Sequence, residues 1–195
     1  MALSAVTFRL GAIEQSEMST ISEEQPLEDE EIEQRSEERL ENRLFIATTG
    51  LIAAYNTEKQ PPTRLWAYTL NTYAKNNVTM RLFGGVIVAS SGGQIYRIDA
   101  RTGVLLKLYE LTSSLESHYT CMAIHKTLVI SNSTHRMVAV SRDRLKKVWK
   151  SSDLGDRFDC AEVVGNRLAV AVDGEVHILD LESGQTAFSE RFDGP

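Results

Sequence analysis

The chain has 195 residues, 42% of them hydrophobic and 25% charged, with a formal net charge of −6, the balance of a globular protein able to bury a core. Two cysteines, Cys121 and Cys160, rule out a disulfide framework, and no apolar stretch approaches the roughly 20 residues of a membrane helix. The opening MALSAVTFRLGAI carries Arg9 in its middle and no basic leader, so no secretory signal is expected and an intracellular setting, cytoplasmic or nuclear, follows.

In chain order, the first candidate strand is VTFRLG at 6–11, inside an N-terminal segment of residues 1–13. Residues 14–41 follow with twelve acidic side chains against Arg35 and Arg39, a net of −10. This stretch has no aromatic residue and too few apolar ones to offset the entropy of ordering it alone, so it is expected to be a disordered acidic segment. From residue 42 a strand-turn-strand phrase recurs: LFIATTGLIAAYN from 44, VIVASSGGQIYRID from 86, LVISNSTHRMVAVS from 128 and LAVAVDGEVHILD from 168. Starts 42, 42 and 40 residues apart, each opening short β-rich runs, are the spacing of propeller blades.

Each phrase is flanked by further runs. VTMRLF at 78–83, YTCMAI at 119–124 and FDCAEV at 158–163 precede three copies as innermost strands, and VTFRLG at 6–11 matches VTMRLF at four of six positions. The acidic stretch then becomes an insertion within blade one. Outer runs follow as RLWAYTL at 64–70, VLLKLYEL at 104–111, LKKVWKSS at 145–152 and QTAFSERF at 185–192. Their aromatic residues, Trp66, Tyr109, Trp149 and Phe188, are expected to pack between neighbouring blades, where large rings bury much area at small entropy cost. Gly92-Gly93 and Asp173-Gly174 suit tight hairpins, with Gly50 at the matching point of the first phrase. The third has Asn132-Ser-Thr-His there, which predicts a longer turn. The expectation is an all-β propeller of four four-stranded blades, at about 42–72, 78–113, 119–152 and 158–192 within a domain of residues 42–195.

DARTG at 99–103 and DLESG at 180–184 each follow an alternating strand. They resemble the Asp-x-x-[Ser/Thr]-Gly corner of WD40 and PQQ-like (quinoprotein dehydrogenase-like) propeller repeats. In such a corner the Asp accepts hydrogen bonds from turn amides and the Gly takes a left-handed step. The Trp-Asp dipeptide of WD40 repeats is absent, and so is the Trp that follows the Gly in PQQ-like repeats, so the two subfamilies stay undivided. Rings of either kind need seven or eight blades. Four blades therefore imply a half-ring that pairs, part of a larger propeller, or a small closed ring.

The PQQ-like resemblance implies an enzyme with a bound quinone, calcium ligands, a catalytic Asp and an adjacent cysteine pair, and no residue here matches that equipment. Cys121 and Cys160 sit at equivalent points of consecutive inner runs and are expected to be buried packing residues. His118, His125, His135 and His177 show no ligand spacing, and no phosphate loop or nucleophile elbow occurs. No catalytic residue, cofactor or metal is expected. The remaining constellation is a basic edge in blade three, Arg136, Arg142, Arg144, Lys146, Lys147 and Lys150 against Asp143. It is the candidate for meeting an acidic partner or the protein's own acidic segment. With only Trp149 to stack on bases, nucleic acid is the weakest of the readings. The expected function is a non-catalytic scaffold for protein–protein assembly, with self-association to complete a ring and no membrane partner. The alternatives are a quinoprotein-like enzyme and a polyanion binder acting through the basic edge.

Overall fold

The computed structural model describes residues 4–7, 40, 42–71, 77–111 and 120–192, and every regular element among them is a strand. Short apolar, β-branched-rich runs between turn-forming residues make these strands, and the two-residue period of a strand sets their faces. In RLAVAV at 167–172, Leu168, Val170 and Val172 are buried while Arg167, Ala169 and Ala171 are partly exposed.

The strands form four antiparallel four-stranded sheets, each in simple chain order. Blade 1 is β1 (Ser4–Thr7), β2 (Arg43–Thr48), β3 (Leu51–Asn56) and β4 (Thr63–Thr69). Blade 2 is β5 (Thr79–Phe83), β6 (Val86–Ser91), β7 (Gln94–Asp99) and β8 (Leu105–Glu110). Blade 3 is β9 (Met122–His125), β10 (Leu128–Asn132), β11 (Met137–Ser141) and β12 (Lys147–Lys150). Blade 4 is β13 (Phe158–Val164), β14 (Arg167–Val172), β15 (Glu175–Asp180) and β16 (Thr186–Arg191).

β1 pairs with β2 from Ser4 opposite Ala47 to Thr7 opposite Leu44. Only Val6 and Thr7 of the predicted run 6–11 fall in it, and residues 8–39, with most of the acidic stretch, lie outside the described residues. Blade 3 departs from expectation at both edges. β9 begins at Met122, not at 119, and β12 is confined to 147–150 because Leu145 turns the chain at φ 49°.

The central hairpins follow their turn residues. Asp173 and Gly174 (φ 52° and 78°), like Gly92 and Gly93 (55° and 73°), provide the two positive φ angles of a tight two-residue hairpin. Blade 3 has a longer turn, with the Ser133 amide donating to the Arg136 carbonyl at 2.7 Å.

All four blades carry a bulge at one equivalent point between the third and outer strands, at Ala54/Tyr55, Arg97/Ile98, Ala139/Val140 and Ile178/Leu179. The register leaves one extra residue on the outer strand each time: Leu65, Leu106, Val148 and Ala187. That extra residue is unpaired, which explains why Leu65, Leu106 and Val148 are exposed despite being apolar.

The core is divided into three seams between consecutive blades. Phe45, Ile52 and Ala54 of blade 1 meet Met80, Ile87 and Tyr96 of blade 2. Val88 and Ile95 meet Met122, Val129, Val138 and Val140 of blade 3. Ile130, Met137 and Ala139 meet Phe158, Leu168, Val170 and Leu179 of blade 4. Buried serines link the middle seam, Ser90 Oγ to Ser131 Oγ at 2.7 Å. Among the described residues no buried cluster joins blade 4 back to blade 1.

Candidate interaction surfaces

The first and third seams share one contact, between an outer-strand tryptophan and the corner of the following blade. At the corner of blade 2, Asp99 Oδ1 accepts from the Arg101 and Thr102 amides and from the Thr102 hydroxyl. At the corner of blade 4, Asp180 Oδ1 accepts from the Glu182 and Ser183 amides and the Ser183 hydroxyl. In blade 1, Asn56 takes the same place and accepts from the Glu58 amide at 2.8 Å. Burial pushes the Asp99 carboxyl up, but the bonds from Thr102 and Arg101 outweigh it and hold the group below the ordinary carboxylate value. The Ser183 hydroxyl and amide do the same for Asp180.

Over each complete corner lies an indole. Trp66 of blade 1 donates through Nε1 to the Ala100 carbonyl at 3.1 Å and covers Gly103. Trp149 of blade 3 donates to the Leu181 carbonyl at 2.7 Å and covers Gly184. A β-carbon on either glycine would stand under 3 Å from the ring, so these corners need Gly for the close approach as well as for φ near 70–75°. Each indole stands opposite an alanine, Trp66 facing Ala54 and Trp149 facing Ala139.

Tyr109 packs in the seam between blades 2 and 3, as expected, but register sets it apart from the two tryptophans. The blade 2 residue opposite Arg97, in the place of Trp66 and Trp149, is Lys107; Tyr109 pairs two residues further along, with Ile95. Blade 2 thus replaces an alanine–tryptophan pair with Arg97–Lys107, and the facing corner of blade 3 has Leu145 where Gly103 and Gly184 stand. Leu145 is buried in the middle seam, and Tyr109 packs against the same apolar cluster. With no indole, the seam retains a cavity of about 180 Å³ between the Phe83-Gly84 turn, Val86, Val88, Arg97, and Arg142 and Asp143 of the corner. The Arg142 guanidinium lies 5.3 Å from the centre of the Phe83 ring.

At blade 4 the corresponding outer-strand residue is Phe188, opposite Ile178. It is 53% exposed. Pairing places Cys160, Ala169, Ala171, Val176 and Ile178 on the same side of the sheet, away from the face packed on blade 3. Cys160 is accordingly exposed, against the expectation of burial, because a bulge between Phe158 and Cys160 and its pairing with Ala171 set it on this outer face. Cys121 is buried as expected, and burial pushes its thiol pKa to about 12. The side of blade 1 turned away from blade 2 is apolar too, with Leu44, Ile46, Ala53 and Tyr55.

The six basic residues of the predicted edge do not converge. Arg136 sits in the turn before β11, while Arg142 and Arg144 follow its other end, roughly 20 Å away at strand rise. Arg142 lines the cavity, Arg144 pairs with Asp143 at 3.4 Å, and Lys146, Lys147 and Lys150 are exposed on or beside β12. Sequence reasoning missed Arg97 because only the pairing shows that it fills an alanine position. Among the described residues no group of His, Cys, Asp and Glu is placed to hold a metal ion, and no helix is long and apolar enough to cross a membrane.

No protein-family model and no curated protein matches the sequence. Solved structures do match its fold. BamB from Moraxella catarrhalis superposes with a TM-score of 0.60 at 22% identity, over 78% of this chain and 47% of that one. The computationally designed protein Ika8 gives 0.62 at 16% identity, over 77% and 46%. Sqt1 from Saccharomyces cerevisiae gives 0.62 at 16%, over 76% and 45%. These likenesses are to β-propeller-type proteins and show the fold. The chain spans about half the length of each of these structures.

Proposed function

We propose that the protein is a non-catalytic β-propeller scaffold whose two end faces pair with those of a second copy, giving a closed ring that holds protein partners. The observation that carries this reading is Phe188. Its repeat equivalents Trp66 and Trp149 are packed over the corner of a following blade, whereas Phe188 stands 53% exposed beside Ile178 and Val176. An exposed apolar blade face of this kind favours association. The face of blade 1 with Leu44, Ile46, Ala53 and Tyr55 has the complementary apolar character, and two copies joined head to tail leave neither end face uncovered.

The solution mass tests it. Light scattering on the full chain is expected to give twice the 21.8 kDa of one copy, and Phe188→Glu is expected to return the mass to one copy with the strand spectrum unchanged. A wild-type chain that stays at one copy across the micromolar range overturns the pairing.

A further inference from the structure

We propose that the cavity between blades 2 and 3 is a binding pocket for the carboxylate of an acidic side chain on a protein partner, held by Arg97 with Arg142 beside it. The pocket lies in the middle seam, apart from both end faces, so this inference stands whether or not those faces pair.

The first support comes from the repeat. At the position of Arg97 the other blades carry Ala54, Ala139 and Ile178, all apolar, and two of the three are fully buried against an indole. A guanidinium here costs desolvation and gives up the aromatic contact that closes the other two seams. Its cross-strand neighbours are Val88, itself buried, and Lys107, another cation. Packing alone gives no reason for this exchange.

A second observation is that Arg97 Nε is buried and has no hydrogen-bond partner among the described residues. A buried donor without an acceptor costs on the order of 1–3 kcal/mol, and an oxygen placed in the cavity would satisfy it. Burial lowers the pKa of Arg97, the nearby Arg142 lowers it further and Asp143 opposes this, so the group lies in the joint field of both corner residues. An anion in the cavity would favour its charged form.

Size and charge select the ligand. About 180 Å³ holds a carboxylate with the end of its side chain and a few waters, each water taking about 30 Å³. The charged lining groups are Arg97, Arg142 and Asp143, a formal +1, which a monoanionic carboxylate neutralises and a phosphate dianion overshoots. A planar guanidinium offers two parallel donors to the two carboxylate oxygens. The Phe83 ring under Arg142 and the Val86 and Val88 side chains form the apolar wall for the methylene stem.

The test is a titration of the full ¹⁵N-labelled chain with a blocked glutamate peptide (N-acetyl-Gly-Glu-Gly-amide), its glutamine counterpart and inorganic phosphate. The Arg97 Nε–H resonance and the Gly84 and Arg142 amides are followed. Saturable shifts with the glutamate peptide alone are expected. Arg97→Met, which keeps the stem, is expected to weaken binding about tenfold or more, as loss of a charge-assisted bond implies. Arg97→Lys is expected to fall between the two. Asp143→Asn, on the exposed corner, is expected to tighten binding several-fold and decides the matter should Arg97→Met fail to fold. Equal binding of the glutamine peptide, tighter binding of phosphate, or indifference to these substitutions overturns the proposal.

Discussion

The indole of Trp149 lies so close over Gly184 that a β-carbon there would collide with ring atom Cε3, while its Nε1 donates to the Leu181 carbonyl on the same corner at 2.7 Å. Steric need and hydrogen bond together lock blade 3 to blade 4. Gly184→Ala is therefore expected to cost roughly 2–4 kcal/mol, from left-handed strain plus overpacking. Gly174→Ala, at φ 78° with open space around it, meets only the strain and should cost about 1–2 kcal/mol. Urea denaturation of the two variants checks the difference, and equal costs would remove the packing argument.

Trp149→Phe retains most of the apolar contact and deletes one donor. The carbonyl it leaves belongs to Leu181, which is 3% exposed, so a loss of about 1–3 kcal/mol is expected. Trp66→Phe should cost less, because its bond to Ala100 is longer and only partly buried.

The middle seam can be given the chemistry of its neighbours. In an Arg97→Ala background, Lys107→Trp and Leu145→Gly are each expected to destabilise the protein alone. Together they recreate an indole over a glycine corner, with a favourable coupling of about 0.5–3 kcal/mol in a double-mutant cycle. The glutamate peptide should not bind in any of these variants, because the Arg97→Ala background already removes its guanidinium.

Thiol labelling separates the two cysteines. At pH 8 the exposed Cys160 is expected to react rapidly, whereas Cys121, buried and with its pKa raised to about 12, should react only on unfolding. Because Cys160 lies on the outer face of blade 4, its labelling rate should fall with rising protein concentration as copies pair. A rate independent of concentration counts against pairing through that face.

Asp99 and Asp180 both have folded pKa values below the ordinary 3.8. A depressed carboxylate stabilises the fold above its unfolded pKa, and the contribution is lost as pH falls through the folded value. The urea midpoint is expected to drop as pH falls below the ordinary carboxylate value, and the Asp99→Asn, Asp180→Asn double variant should show a shallower drop. An identical slope would mean other carboxylates dominate acid unfolding.

Much of this architecture was legible in the residues because it is local. A short β-rich apolar run marks strands such as 167–172, and Asp173-Gly174 or Gly92-Gly93 mark the hairpins between them. The Asp99 and Asp180 corners were readable for the same reason, since donor, acceptor and glycine fall within five residues of one another. The outer strands were less legible. A single bulged residue, Leu106, moves Lys107 and not Tyr109 into the place of Trp66, and nothing within VLLKLYEL signals that extra residue.

By itself, then, the sequence determined the blades: their number, strand content and turns follow from side-chain alternation and backbone preferences acting over a few residues. Only the tertiary structure decided what lies between blades. Arg97 and Arg142 are brought to one cavity from different sheets, Cys121 is buried and Cys160 exposed despite matching sequence positions, and Phe188 stands open where Trp149 is covered. Each depends on register and on the neighbouring blade, because burial is a property of two packed surfaces and no single strand encodes its partner.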